Sequence, residues 1–339
     1  MMDMQSFFAA WTFEPTVLFG LVVSAFLYAR GAQYSIERGL ARHLRWWRAA
    51  CFFGGLLVIL LALESPIDAQ AEQYLWVHMV QHELLTLVAP PLLLLGEPMW
   101  PMWRALPLAW RRGLLRWALK QGWPRRVGDG IAHVFRMPVL ICVLFLGVFD
   151  IWHLPVLYGA TLENTTIHAL EHAMFLVVGL LFWAQIIPSR PLKPRMNYFK
   201  RAAFLGMVAL EGNVFGFFFL FATTPIYTHY AQIARTPDMI SAVADVHYAG
   251  AVMDGADTFI LIVVIMALLG LWLQAEEESV KIADAERARQ RLAMGAQTGQ
   301  AGVESTGQAG QATISPLASV SAPASRPLRL VAQPNPVDA

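Results

Sequence analysis

Two pairs of histidines carry the clearest chemical signal in the sequence. His78 and His82 are four positions apart, and so are His168 and His172. In an α-helix this spacing places both imidazoles of a pair on one face, about 6 Å apart along the helix axis. Imidazole is a common ligand of zinc, copper, iron and nickel. Two such helices lying side by side would form a site for a metal ion or a haem.

Three more residues are predicted to lie at the same end of the molecule as these pairs: His153, Asp245 and His247. His153 and Asp245 are candidates either for direct metal ligands or for groups that orient a ligating imidazole by hydrogen-bonding to it. His247 is a further candidate ligand. The predicted metal set therefore comprises His78, His82, His153, His168, His172, Asp245 and His247.

Sulfur ligands are less prominent in the pattern. The thioethers of Met79, Met174 and Met253 would suit Cu(I), although apolar packing is the more common role of a buried methionine. The two cysteines, Cys51 and Cys142, form no CxxC motif and fall away from the histidines. A thiolate copper centre and a disulfide framework are therefore disfavoured.

The composition of the chain is that of a membrane protein. Of its 339 residues, 57% are apolar and 14% are charged, whereas a soluble domain has about 25% charged residues. The mean hydropathy is +0.48. Because the apolar residues form long blocks rather than short alternations, the pattern predicts membrane helices and argues against a barrel.

Seven apolar stretches approach the length of about 20 residues that a helix needs to cross a bilayer. They span residues 11–29, 49–64, 74–95, 137–153, 166–187, 202–222 and 242–273. We therefore predict an all-α integral membrane protein, a bundle of seven transmembrane helices. No basic residue precedes the first stretch, so we expect that stretch to be retained rather than cleaved as a signal peptide.

The distribution of basic residues predicts the orientation. The connections after the first, third and fifth stretches are rich in arginine and lysine, whereas the alternate connections (65–73, 154–165 and 223–241) contain one basic residue, Arg235. Cytoplasmic loops carry the excess of positive charge in membrane proteins. The N-terminus is therefore expected outside and the C-terminus in the cytoplasm, with both histidine pairs in the outer half of the protein.

The chain is predicted to divide into three segments. Residues 1–275 form the seven-helix transmembrane domain, and residues 276–293 form a short helical extension in the cytoplasm. Residues 294–339 are rich in Gly, Ala, Gln, Ser and Pro. Such a segment cannot bury enough apolar surface to offset the entropy lost on ordering, so it is predicted to be a disordered tail.

Several short motifs occur in order along residues 11–273: HMVQHELL at 78–85, APP at 89–91, HLP at 153–155, HALEH at 168–172 and PIY at 225–227. Together they resemble the membrane-spanning CtaG family of cytochrome c oxidase assembly factors. The resemblance implies seven spans and a role in handling copper while a copper-containing haem oxidase matures. The sequence departs from the family pattern at Glu83, where Met is common, and at Val246 and His247.

The leading hypothesis is an assembly factor that binds copper in an outward-facing histidine layer and delivers it to an oxidase subunit. This role requires no covalent chemistry, so we do not expect an enzyme. The expected partners are cytochrome c oxidase subunits, the lipid bilayer and other copper chaperones. Binding to nucleic acid is not expected. The expected location is the inner membrane of a bacterium.

Three alternatives stay open at this point. Histidines from two helices could bind a haem iron between them, as in a b-type membrane cytochrome. Glu211, Asp254 and Asp257 lie within apolar stretches, where a charge is costly, and they favour a copper or proton transporter. The histidines could also join helices through hydrogen bonds without holding any ligand.

Overall fold

A computed structural model of the chain describes residues 11–40, 44–236 and 239–308. Within these ranges the regular secondary structure is helical, apart from one isolated bridge between Ser189 and Leu192. The helices are α1 (Pro15–Glu37), α2 (Trp46–Glu64), α3 (Pro66–Ala71), α4 (Leu75–Leu95), α5 (Met99–Ala105), α6 (Leu108–Gln121), α7 (Trp123–Phe135), α8 (Pro138–Trp152), α9 (Pro155–Glu163), α10 (Thr165–Trp183), α11 (Tyr198–Leu220), α12 (Thr228–Gln232) and α13 (Ala242–Gln308). The all-helical prediction is confirmed.

Six of the described helices are long and apolar enough to cross a membrane: α1, α2, α4, α10, α11 and the Ala242–Met294 part of α13. The predicted stretch 137–153 is helix α8, which has 15 residues and is short for a span on its own. It follows Arg126–Phe135 of α7 at a bend of 85°, and the two make a seventh span if they cross as one unit. The described residues therefore provide six spans, or up to seven.

The last helix continues beyond the predicted membrane domain. By its contacts the chain divides into two compact units, Met1–Ala275 and Glu276–Ala339. Helix α13 passes through the predicted cytoplasmic extension and past residue 294, where the low-complexity segment begins, and ends at Gln308. Residues 309–339 of the predicted disordered tail lie outside the described residues.

Helix α4 is the central helix of the bundle, because 72% of its apolar window is buried, against at most 33% in the other spans. The backbone hydrogen bonds of α4 are interrupted part-way along the helix, since Pro90 and Pro91 have no backbone N–H to donate. The chain adapts through a π-helical turn, Leu84–Val88, and then continues as an α-helix to Leu95. Turns of this kind are frequent at functional sites, and this one begins two residues after His82.

Helix α10 lies against α4 at this turn. Because Pro90 cannot donate to the carbonyl group of Thr86, four residues earlier, the indole Nε1 of Trp183 donates to that oxygen instead, at 3.0 Å. Gly179 permits the close approach, since a Cβ at this position would lie 3.0 Å from both the Thr86 oxygen and Pro90 Cγ. These contacts hold the two histidine-bearing helices side by side.

Helices α1, α2 and α5 pack around the C-terminal end of α4. The hydroxyl group of Tyr28 donates to the carbonyl oxygen of Gly96, at 3.0 Å. Arg48 of α2 forms an ion pair with Glu97, just after α4. Gly31 of α1 lies directly against the backbone of Pro101 in α5. This packing anchors the end of α4 that is remote from the first histidine pair.

Candidate metal site

Four buried side chains from α4 and α10 meet inside the bundle: His78, His82, Glu171 and His172. Each offers one ligand atom, and the four atoms all lie within 4.8 Å of one another. The ring centroids of His78 and His82 are 4.4 Å apart, and those of His82 and His172 are 5.6 Å apart. Residues of both histidine pairs therefore face each other across the contact between the two helices.

The carboxylate of Glu171 lies between the imidazoles of α4. Its Oε2 is 3.8 Å from Nε2 of His78, and its Oε1 is 3.8 Å from Nε2 of His82. Both distances are too long for hydrogen bonds. The side chain of Glu171 is fully buried, so a negative charge here has no solvent to stabilise it and requires a nearby cation or a proton.

Within the described part of the chain, the facing atoms of this cluster have no hydrogen-bond partners. This holds for both carboxylate oxygens of Glu171 and for Nε2 of His78, His82 and His172. Each buried polar atom without a partner costs on the order of 1–3 kcal/mol. A metal ion bound among these lone pairs would remove that cost, and three imidazoles with one carboxylate suit borderline ions such as copper, zinc or iron. The donor set thus fits a single metal ion.

Two tyrosines orient the ring of His78. Its Nδ1 lies 2.9 Å from the hydroxyl oxygen of Tyr158 and 3.1 Å from that of Tyr230. The Tyr230 hydroxyl donates its proton to the carbonyl oxygen of Ala71, at 2.7 Å, so its oxygen accepts from His78. With the ring proton on Nδ1, the lone pair of Nε2 faces Glu171, as a metal ligand requires.

The same tyrosines belong to a stacked group in the connections around the cluster. Burial raises the pKa of both Tyr158 and Tyr230 above the ordinary tyrosine value, so their hydroxyl groups stay protonated. Tyr227 stacks on Tyr158 with ring centroids 3.9 Å apart. Its hydroxyl donates to the backbone carbonyl of His153, at 2.9 Å. Helix α9, helix α12 and the residue just before α12 thereby position two of the predicted site residues, His78 and His153.

His168 lies beside the cluster rather than within it. Its ring centroid is 4.2 Å from that of His172 and 5.2 Å from that of His78. It is half-buried, whereas the imidazoles within the cluster are buried, and its Nε2 has no hydrogen-bond partner among the residues that the structure describes. His168 therefore adjoins the cluster, about one helical turn nearer the start of α10 than His172.

Comparison with known proteins identifies the family. The family profile described as cytochrome c oxidase caa3 assembly factor (Caa3_CtaG) matches residues 26–275, a range that includes the whole cluster. The chain belongs to this family. It is similar to an uncharacterized protein of Mycobacterium leprae, 25% identical over 276 residues, which are 80% of this chain and 40% of the relative. An uncharacterized protein of Mycobacterium bovis is 26% identical over 276 residues, 78% of this chain and 40% of the relative.

The chain spans about two-fifths of the length of the curated relatives it matches, 40% in each case. No solved structure matches it.

In this Caa3_CtaG chain Asp245 does not face the cluster. Its carboxylate accepts hydrogen bonds from the backbone amides of Leu75 and Trp76, each at 3.1 Å, and pairs with Arg235 at 3.0 Å. Leu75 and Trp76 are the first two residues of α4, whose amides have no partner within the helix. Asp245 therefore caps the helix that carries His78, and its partners in the structure are backbone amides and Arg235 rather than an imidazole.

The other two predicted residues are held by carbonyl groups. His153 donates from Nδ1 to the carbonyl oxygen of Phe149, at 2.8 Å, and its ring centroid lies 5.6 Å from that of His82. His247 donates from Nε2 to the carbonyl oxygen of Ala222, at 2.9 Å. Of the two, the structure brings His153 to the border of the cluster and leaves His247 apart from it.

Glu171 is the cluster residue that the sequence analysis left out of the metal set. A signal for it was present, because an ionisable side chain within an apolar stretch is costly and usually functional. Tyr158 and Tyr230 offered no such signal, since their connections are distant in sequence from the histidines that they orient.

A separate group of carboxyl side chains lies in the spans of this family member. Glu83 follows His82 and interacts with Asp257 of α13. Glu211 of α11 interacts with Asp150 of α8. None of the four belongs to the ligand set of the His/Glu cluster. The role of Glu211, Asp254 and Asp257 in a proton or ion path stays a prediction.

Proposed function

We propose that this chain binds a copper ion at the cluster of His78, His82, Glu171 and His172 and delivers it to a cytochrome c oxidase subunit during assembly. The observation that carries the proposal is the set of four buried ligand atoms within 4.8 Å of one another. Among the described residues, the Glu171 oxygens and the Nε2 atoms of the three histidines have no hydrogen-bond partner. Membership of the caa3 assembly factor family supports the oxidase as recipient. Copper is then cargo, and the chain performs no catalysis.

The geometry favours an ion over a haem. Two axial imidazoles of a haem iron must lie on opposite faces of a wide planar macrocycle. Here the carboxylate of Glu171 lies 3.8 Å from the Nε2 atoms of both His78 and His82, within a buried interior. This arrangement supports one compact ion with several protein ligands.

The proposal includes the orientation expected from the charge distribution. Helices α7 and α8 then cross as one bent span, which makes seven, and the N-terminus lies outside the inner membrane of the bacterium. The histidine cluster, near the start of both α4 and α10, then lies in the outer half of the protein. Delivery to the oxidase subunit, with or without other copper chaperones, then takes place on that side.

The first test is the copper content of the purified full chain. We would load the protein with copper in detergent, remove loosely held metal with a weak chelator and measure copper per protein by elemental analysis. The wild type is expected to retain about one copper ion, and the double variant His82→Ala/His172→Ala is expected to lose it. His247→Ala, which changes an imidazole outside the cluster, serves as the matched control and is expected to retain the metal.

A second measurement tests delivery. Cells that lack the chain, or that carry the double variant, are expected to assemble an oxidase with reduced copper content and activity, whereas His247→Ala restores both. Absence of copper from the wild-type protein, or equal retention in the double variant, would overturn the copper-binding proposal. Normal copper content of the oxidase in cells lacking the chain would overturn delivery.

A further inference from the structure

One side chain of α4 that points away from the His/Glu cluster makes an unusual contact. Met79 lies between His78 and His82 in the sequence, is 1% exposed and packs in an apolar core with Tyr158, Tyr230 and Met253. Its Sδ lies 3.4 Å from Nε2 of His153, at the end of α8. This contact lies beside the His/Glu cluster, since the ring centroid of His153 is 5.6 Å from that of His82.

The contact between Sδ of Met79 and Nε2 of His153 has no hydrogen atom with which to form a hydrogen bond. Its Nδ1 lies 2.8 Å from the carbonyl oxygen of Phe149, which can only accept, so Nδ1 carries the proton and donates it. In a neutral ring Nε2 then bears a lone pair. That lone pair faces the Met79 sulfur, which has lone pairs of its own and no hydrogen.

The surroundings disfavour a charged imidazole. His153 is 4% exposed, and aromatic rings enclose it, with centroids of Phe149 at 4.2 Å and Phe215 at 5.1 Å. Burial of a charged imidazole without a counter-ion in such an apolar site is costly. The paired nitrogen and sulfur donors are therefore poised for an ion that accepts both lone pairs.

A thioether with an imidazole is a donor pair that selects Cu(I). The neighbouring cluster differs, since its three imidazoles and one carboxylate are also suited to divalent ions. We propose that Met79 and His153 form a second copper position, specific for Cu(I), that adjoins the His/Glu cluster. This inference rests on the proposed copper-binding function and adds to it the oxidation state of the ion.

Met79 differs in its contacts from Met174 and Met253, the other two methionines considered as sulfur ligands. Met253 is equally buried at 1% exposed and belongs to the same apolar core, but among the described residues no nitrogen donor is recorded against its sulfur. Met174 is half-buried on α10. Met253 is therefore a matched control for Met79 in burial, residue type and surroundings.

The test uses the purified full chain loaded anaerobically with Cu(I) and, separately, with Cu(II). X-ray absorption of the wild-type Cu(I) form is expected to show a sulfur neighbour, which Met79→Leu removes and Met253→Leu retains. Competition with a chromogenic Cu(I) chelator is expected to show at least about tenfold weaker Cu(I) binding in Met79→Leu. Its Cu(II) binding is expected to remain that of the wild type, because a thioether contributes little to Cu(II).

A second measurement does not depend on the folding of a variant. In protein labelled with selenomethionine, the sulfur neighbour of Cu(I) must be replaced by selenium. A wild-type Cu(I) spectrum with nitrogen and oxygen neighbours alone, or a sulfur signal that survives Met79→Leu, would overturn this inference while leaving copper binding at the cluster in place. Failure of the wild type to bind either copper ion would overturn the proposed function as well.

Discussion

The carboxylate of Asp245 accepts a hydrogen bond of 3.1 Å from the backbone amide of Leu75, the first residue of the helix that carries His78. The two residues are 170 positions apart in sequence, so the contact joins α13 to the start of α4. Arg235 pairs with the same carboxylate and also donates to the carbonyl oxygen of Tyr230, at 3.3 Å. One buried carboxylate thus holds both the helix of His78 and the segment of the tyrosine that orients its ring.

Replacement of Asp245 is expected to damage the site without removing a ligand. Asp245→Ala leaves two helix-terminal amides and the Arg235 guanidinium without their acceptor, which should cost about 2–4 kcal/mol of stability. Asp245→Asn keeps an acceptor for one amide and should cost less. Thermal unfolding in detergent measures the ranking, and equal midpoints for the two variants would contradict the capping role.

Glu171→Gln tests the carboxylate at the centre of the cluster. The amide keeps the shape of the side chain but removes the charge, so copper affinity is expected to fall by at least about tenfold. The metal-free variant should be at least as stable as the metal-free wild type, because the amide carries no charge that a cation or a proton must neutralise in the buried site. Glu163→Gln, at an exposed position of α9, is the control and should change neither quantity.

Tyr230→Phe tests how the ring of His78 is held. The variant loses the hydroxyl that bridges Ala71 and Nδ1 of His78, so the ring proton can move to Nε2 and block the ligand lone pair. Copper affinity is expected to fall by about 10–100-fold with no ligand removed. Tyr248→Phe, at a residue 52% exposed, should bind copper as the wild type does. Equal affinities in the two variants would exclude a role for the hydroxyl.

The parts of this architecture that sequence could predict are those set by local patterns. The apolar stretch 74–95 became α4, and the i,i+4 spacing of His78 and His82 did place both rings on one face, because each depends on helix geometry alone. The capping of α4 by Asp245 and the contact of the Met79 sulfur with His153 could not be predicted in this way. Each is decided by which distant segment packs against it, and that depends on the tertiary fold.

Gly31→Ala is expected to disrupt the packing of α1 on α5. A Cβ at Gly31 would lie 1.7 Å from the carbonyl oxygen of Pro101, whereas a Cβ at Gly20 of the same helix would meet nothing within 4 Å. Both changes raise helix propensity by about 1 kcal/mol, so the difference between them reports the clash. Gly31→Ala should lose at least about 3 kcal/mol or fail to accumulate, while Gly20→Ala should match or exceed wild-type stability in thermal unfolding.

The orientation can be tested by labelling single cysteines in intact cells. In a background with Cys51→Ala and Cys142→Ala, Glu163→Cys places a thiol at the end of α9, near the tyrosines that orient His78. Arg116→Cys places one on the basic helix α6. Both positions are exposed, so a membrane-impermeant maleimide distinguishes the sides of the membrane rather than burial.

Glu163→Cys is expected to react in intact cells, and Arg116→Cys only after the membrane is permeabilised, because basic connections stay in the cytoplasm. The reverse pattern would place the His/Glu cluster toward the cytoplasm, which would contradict the proposed delivery on the outer side. Labelling of both positions in intact cells would mean that α7 and α8 do not act as one bent span, since an odd number of crossings must separate α6 from α9.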